Sequence, residues 1–585
     1  MDLLIRGGTL VDGTGAAPRP ADIVVENGLI KSVGGPDTVC PFHAKEVIDA
    51  DGMIVTPGFV DLHTHYDGQA TWDDVLAPSA HHGVTTAVMG NCGVGFAPVR
   101  PGDRQYLIEL MEGVEDIPGT ALTDGIKWNW ESFPEYLDAL EKTPRAINVA
   151  TQVPHGALRL FVFGKDSKIN APATPDQIKR MADLTREAVS AGALAFSTNR
   201  IAMHMSLNGE SVPGTFAKED EVLALVKAAQ EGGSRILQVV PQGLMGEDPS
   251  GFDHEIDFYR KISLETGNTV YFTIAQNNMQ PELWIELMDK VDKANSQGAK
   301  LVAAIANRPG GILMSWESFS IFMDRPSYLE VAHLPLAERV RALREPSRRA
   351  KILGEEPQSA QLKMGKMVVM SSLGAIYPLD STPVLEPDPD TSIARRIERT
   401  GLPAEEVLYD AMCELAENAA VPGETGFLHI YMGNYAHGNL DAVDTMMRHP
   451  NTIIGAADGG AHVNVICDAS YTSFMLQHWV RDRTRGQRWS IEEAVRKISG
   501  DPAALYGLTD RGVIAQGKRA DINIIDMSKL QLRAPRVVRD LPSGAPRLLQ
   551  HADGYVATLV GGVTTFSKGV DTGARPGQLV RGSSR

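Results

Sequence analysis

Eight short apolar runs, each closed by a turn and followed by a stretch of helical periodicity, restrict the folds open to this chain more than any other feature. They read FVDLHTH (59–65), TTAVMGNC (85–92), INVATQV (147–153), ALAFSTN (193–199), RILQVV (235–240), TVYFTIAQ (269–276), KLVAAIA (300–306) and TIIGAAD (452–458). Strands alternating with helices, and apolar on both faces, imply a buried parallel sheet. Eight such units fit a (β/α)8 TIM-like barrel, whose active sites gather at the C-terminal ends of the strands. A doubly wound open sheet is the competing α/β arrangement, but no G-x-G-x-x-G follows the first run to support dinucleotide binding.

The helices between these runs have legible starts. Thr174-Pro175-Asp176-Gln177 has the form of a capping box with proline in the first turn, and Ser490-Ile491-Glu492-Glu493 has a similar form. The two ends of the chain differ in style from the middle. Alternating runs broken by Asn27-Gly28 and Asp51-Gly52 near the N-terminus, and ADINIIDMSKLQL and GYVATLVGGVTTFSKG near the C-terminus, read as hairpin strands. The expected organisation is a small β-sandwich built from residues 1–57 and 511–585, bracketing a catalytic barrel over 58–510. The gap between the seventh and eighth runs is too long for a loop, so about 308–450 should hold an inserted, mostly helical subdomain.

Charge and composition narrow the function classes. A net charge of -17 with no basic stripe argues against a nucleic-acid partner. The N-terminus lacks the apolar run of a signal peptide, and no stretch approaches the roughly 18–20 apolar residues of a membrane span. A cytoplasmic protein without a membrane partner is the resulting expectation. Cys40, Cys92, Cys413 and Cys467 are too few and too scattered for a disulfide framework.

His63 and His65 stand two residues apart at the end of the first run, where alternation along a strand sends both to one face. Such a pair suits a metal ion, although H-x-H also arises by chance on surfaces. Asp458 ends the eighth run, and in a closed barrel strands one and eight are neighbours. Its carboxylate could therefore reach the same ion and act as general base on a bound water. Alone, it reads first as a turn or helix-cap aspartate.

The motifs PGFVDLHTHYD, GVTTAVMGNCG, HGALR, GALAFST, VPGTFA and RGVIAQGKRADINIID resemble the amidohydrolase superfamily, and within it the N-acyl-D-amino-acid deacylase (D-aminoacylase) branch. The resemblance runs through most of the chain. It implies a metal-bearing barrel with a β-sandwich, with His63, His65 and Cys92 as metal ligands and Asp458 as both ligand and catalytic base. By residue type alone, a buried inert thiol is the ordinary reading of Cys92. Zn²⁺ is the implied cofactor.

The sequence also departs from that pattern. Where the branch presents a histidine at the ends of strands five and six, this chain has Gln238 and Ile274, and no lysine ends strand four. One tightly bound ion is the expectation, with a second left open. Further candidates for substrate binding or for orienting the ligands are Asn91, His155, Arg159 and His462, with His204 and His437 weaker and reading first as structural. The branch's basic anchors for a substrate carboxylate are missing, leaving Arg159, Arg200 and Arg308 to take that role.

The expected activity is metal-dependent hydrolysis of a linear amide, an N-acyl amino acid or N-acyl amine, by activated water with Asp458 shuttling the proton. Trp316, Phe319 and Phe322 in the insertion hint at a bulky apolar small-molecule substrate, and equally at packing within the subdomain. The alternatives are a cyclic-amide hydrolase or deaminase on the same barrel, and a non-catalytic barrel used for assembly. Homo-oligomerisation is left open by the sequence.

Overall fold

A computed structural model of the chain describes residues 1–585 apart from 36–43, 166–168, 245, 247, 420–425 and 583–585, so Cys40 lies outside the described residues. Each of the eight apolar runs contains a strand: β1 (Phe59–Asp61), β2 (Val84–Met89), β3 (Asn148–Thr151, continuing as Val153–Pro154), β4 (Phe196–Asn199), β5 (Ile236–Val240), β6 (Thr269–Thr273), β7 (Leu301–Ile305) and β8 (Thr452–Ile454). The strands pair in parallel as β1-β2-β3 and as β3-β4-β5-β6-β7-β8, the two halves of β3 serving one set each. A parallel bridge between Thr64 and Gly459 joins β1 to β8, with the His65 N–H donating to the Gly459 carbonyl at 2.8 Å. The barrel is thereby closed.

Val60, Val88, Ala150, Ile236, Tyr271, Ala304 and Ile453, one from each strand but β4, and Ala195 just ahead of β4, enter a single buried cluster in the barrel interior. Ala503, Tyr506 and Leu508, in and just after a late helical turn, join the same cluster. The barrel is therefore a packed core rather than a pore, and apolar burial worth about 25 cal/mol per Å² is its main stabilising term.

The expected capping boxes explain where the helices begin. The Thr174 side chain accepts from Gln177 N, and the Gln177 side chain accepts from the Thr174 N–H, opening a helix over Pro175–Ala191. Ser490 likewise accepts from Glu493 N.

Both termini contribute to one sheet. Among the described residues it has nine strands, and its seam is the antiparallel pairing of Ile54–Pro57 with Ile522–Ile525. The seam fixes the entrance to β1, because the Gly58 N–H donates to the Asp521 carbonyl at 2.8 Å. A side chain at Gly58 would run into Thr85, with a Cβ only 2.1 Å from Thr85 Oγ1. The Pro-Gly ahead of the histidine pair is thus a packing requirement between the sheet and the barrel.

Between β7 and β8 the chain forms an insertion with its own core, in which Trp316, Phe322, Tyr328 and Tyr409 are buried. Trp316 packs edge-on to Tyr409 at 5.0 Å, and Phe319 is half-buried against the same cluster. These aromatics hold the subdomain together, so their content carries no information about the substrate. The insertion is helical as expected, but it also contains an antiparallel sheet of Gly310–Met314, Phe427–Gly433 and Ile376–Leu379 that the helical reading omitted. A helix over Asp441–Arg448 packs on β7 and β8 and serves the barrel, so the insertion ends earlier than residue 450. Among the described residues, no helix is long and apolar enough to cross a membrane.

Candidate metal centre and active site

The strand carrying the histidine pair ends at Asp61, earlier than the alternation argument assumed, yet the two rings still converge, with centroids 5.4 Å apart. Cys92 Sγ lies 3.2 Å from His63 Nε2 and 3.7 Å from His65 Nε2. Asp458 Oδ1 lies 3.1 Å and 3.6 Å from the same two nitrogens. The donor atoms of His63, His65 and Cys92 all fall within 4.8 Å of one another. Ligands about 2.0–2.3 Å from a tetrahedral ion are separated by roughly 3.3–3.7 Å, so these spacings suit one Zn²⁺-sized cation.

Both loops that deliver these groups adopt costly backbone conformations. Cys92 has φ +56° and Asp458 has φ +49°, in the left-handed region that non-glycine residues rarely enter. Glycine makes the surrounding turns feasible: at Gly90 (φ +81°) a Cβ would lie 2.5 Å from the Gln152 carbonyl, and at Gly460 (φ +89°) it would lie 2.6 Å from the Tyr66 ring. Asn91 clamps the first loop. Its Nδ2 donates to the Thr64 and Val88 carbonyls while its Oδ1 accepts from Gln152. With both polar atoms of its side chain engaged, Asn91 braces the loop that carries Cys92.

The electrostatics are those of a site built around positive charge. Burial lowers His65 to about 4, against the pull of Asp458, so its imidazole is neutral and able to ligate. Burial raises the Asp458 carboxyl, but the two imidazoles outweigh it and hold the group ionised. The Cys92 thiol is pushed up by burial and then by Glu115, Asp458 and Asp67, and becomes a ligand only when a cation reverses that balance. Asp61 and Asp67 are each raised to about 7, chiefly by burial. Such a concentration of buried acids beside the neutral His65 imidazole fits a bound dication.

The other sequence candidates divide. His204 and His462 are brought to the centre: burial lowers His204 to about 3, with His462, Asp458, His65 and His63 all within electrostatic reach of it. The His462 N–H donates to the Glu115 carbonyl, and its Nε2 lies 3.8 Å from Glu115 Oε2. His155 and Arg159 are committed elsewhere. His155 Nε2 contacts Glu221 Oε1 at 2.9 Å, its Nδ1 contacts Thr198 Oγ1 at 2.9 Å, and Arg159 pairs with the same Glu221 oxygen. Arg200 is held by Glu255 at 2.6 Å and Arg308 by Asp468 at 3.3 Å, so all three candidate anchors already face a carboxylate. His437 pairs with Glu282 on the surface. Ile274 is buried in the apolar core, while Gln238 accepts the Cys92 N–H at 3.1 Å.

Sequence reasoning missed Glu115. It ends the helix Arg104–Glu115 and is buried, with Oε1 3.4 Å from His65 Nδ1. A signal was present, because Leu107, Met111 and Glu115 share one helical face, and a lone carboxylate on an apolar stripe asks for a partner.

Comparison with known proteins follows the same line. Residues 46–566 match the family model described as "Amidohydrolase family". An N-acyl-D-aspartate deacylase of Alcaligenes xylosoxydans xylosoxydans is 25% identical over 597 aligned residues, covering 99% of this chain and 95% of that protein. Among solved structures, a D-aminoacylase with a binuclear metal centre superposes with TM-score 0.64 at 21% identity, covering 99% of both chains. An N-acyl-D-glutamate deacylase from Bordetella bronchiseptica, complexed with zinc and a phosphonate mimic of the tetrahedral intermediate, gives 0.63 at 23% identity, again covering 99% of both chains. The barrel with its separate sheet domain and the match over most of the chain lead to one assignment: this chain belongs to the amidohydrolase family, as a hydrolase acting on carbon–nitrogen bonds other than peptide bonds.

Proposed function

We propose that the protein is a zinc-dependent deacylase that cleaves the linear amide of an N-acyl amine or N-acyl amino acid. The observation that carries this reading is the convergence of His63 Nε2, His65 Nε2 and Cys92 Sγ, with Asp458 Oδ1 against both imidazoles. Three protein ligands with a carboxylate beside them is the pattern of a catalytic zinc site rather than a closed structural one. The zinc in the related N-acyl-D-glutamate deacylase supports the choice of ion.

Zinc held by His63, His65 and Cys92 supplies Lewis-acid polarisation of a carbonyl and lowers the pKa of a water molecule. Asp458, kept ionised by the imidazoles, takes a proton from the attacking water as its oxygen bonds to the acyl carbon. When the carbon–nitrogen bond breaks, Asp458 returns that proton to the departing nitrogen, giving a carboxylic acid and a free amine. Gln238 and Ile274 offer no imidazole at strands five and six, which supports one ion per chain.

The pairing of Arg159, Arg200 and Arg308 with carboxylates favours an amine half without a free carboxylate. The loop that carries His204 also exposes Met203, Met205, Leu207 and Phe216, which favours an apolar acyl half. The test is a panel of N-acyl amines and N-acyl-D- and L-amino acids of varied acyl length, scored for free amine and for zinc per chain. Asp458→Asn is expected to lower turnover by about 10²–10⁴-fold while most of the metal stays bound. Near-normal activity in that variant would overturn the mechanism. Release of ammonia, or a single ring-opened product, would point to a deaminase or a cyclic-amide hydrolase.

A further inference from the structure

We propose that Gln238 is a positioning residue of the metal centre, and that its side-chain oxygen holds Cys92 in the strained backbone conformation that aims the thiol at His63 and His65. The inference rests on Cys92 being a ligand, as proposed above, and goes beyond that reading in assigning strand five a new role.

Cys92 holds its place with φ +56°, a conformation that persists only where the surroundings hold it. The loop is held from three sides. The Gly90 N–H donates to Asp67 Oδ2 at 3.2 Å, the Cys92 N–H to Gln238 Oε1 at 3.1 Å, and the Gly93 N–H to Ser197 Oγ at 3.2 Å. Only the second grips the backbone of Cys92 itself. Gln238 on β5 and Ser197 on β4 are partners in the strand register, so two adjacent strands present two acceptors to two consecutive N–H groups. That match is geometric, and it does not depend on any group titrating.

The same contact gives Gln238 a role other than that of a metal ligand. Its oxygen is turned to Cys92, which leaves the Nε2 end, buried and without a hydrogen-bond partner, and an amide nitrogen has no lone pair to offer a cation. A fully buried amide placed only to fill space would be a poor choice, since it leaves an unpartnered polar end inside the protein. Holding Cys92 accounts for the residue type. Strand five therefore supports the ligand on strand two.

The test uses the full-length protein with Gln238→Met, similar in shape but lacking the acceptor, and Gln238→Glu, which keeps it. Zinc affinity is read by chelator competition, the thiolate by the sulfur-to-cobalt charge-transfer band of the Co²⁺-loaded protein, and folding by thermal unfolding of the metal-free form. The expected result for Gln238→Met is a zinc affinity about 10–100-fold weaker and a weakened or shifted band, with the metal-free protein still folded. Gln238→Glu should keep the band. Zinc binding within threefold of the parent and an unchanged band in Gln238→Met would overturn the proposal. If that variant does not fold, the glutamate variant decides, because loss of the band there is also an overturning result. A parent protein that binds Co²⁺ with no thiolate band would instead remove Cys92 from the ligand set, and the premise with it.

Discussion

Glu115 Oε1 lies 3.4 Å from His65 Nδ1, on the opposite side of the imidazole from the nitrogen that faces Cys92 and Asp458. The two atoms make no hydrogen bond as they stand, but a small shift of the Glu115 carboxyl toward Nδ1 would let it accept that N–H, leaving Nε2 with its lone pair toward the metal position and increasing the basicity of the ring. Glu115 is buried at the end of its helix, and its neighbour across the cleft is His462 at 3.8 Å.

Removal of that carboxylate should therefore weaken metal binding without dismantling the fold. We expect Glu115→Gln to bind zinc about 10-fold less tightly and Glu115→Ala up to about 100-fold less tightly, read by competition with a calibrated chelator. Affinity unchanged in both variants would reduce Glu115 to a helix-end residue that happens to lie near the site.

The barrel was legible because its determinants are local. Each strand is a short apolar run ended by a turn, and the Pro175 and Ser490 helices open on capping residues that act within one turn. That His63, His65, Cys92 and Asp458 lie near one another was legible for a related reason, since strand ends in a closed barrel converge by topology, while the ligand role of Cys92 was read only through the family resemblance. What was not legible depends on contacts far apart in the chain. Glu221 captures both His155 and Arg159 from 66 and 62 residues away, and nothing in HGALR says that its histidine and arginine are already spoken for. The insertion sheet was hidden for the same reason: Phe427–Gly433 reads as a strand only once Gly310–Met314 is known to lie beside it, across a run of helices.

Glu221 also sets a stability prediction. Its Oε1 serves a buried arginine and a buried histidine at once, and the His155 imidazole is held below its usual range by burial. Glu221→Ala would leave Arg159 buried without its counter-charge, which typically costs about 3–5 kcal/mol. A drop of several degrees in the unfolding temperature and a lower folded yield are expected, with metal content of the folded fraction preserved. Arg159 would have to be reassigned as a solvated surface residue if the variant melted with the parent.

Glu386 gives the pH dependence. It belongs to the segment between β7 and β8 and is held by His478 at 2.9 Å, by the Leu440 N–H at 2.9 Å and by Arg483 at 3.3 Å. Burial raises its carboxyl, but these partners prevail and bring it to about 2, against an ordinary value of 4.5. An acid whose folded pKa is depressed contributes stability above its unfolded pKa and loses it as pH falls toward the folded one. The contribution should be whole at neutral pH and decline from about pH 4.5 toward 2; with allowance for solvent screening it amounts to roughly 1–2 kcal/mol. Glu386→Gln should unfold at lower temperature than the parent at pH 7, and the two melting curves should approach each other as the pH is lowered from 5 to 3. A constant offset across that range would mean that the glutamate contributes through packing and not through its charge.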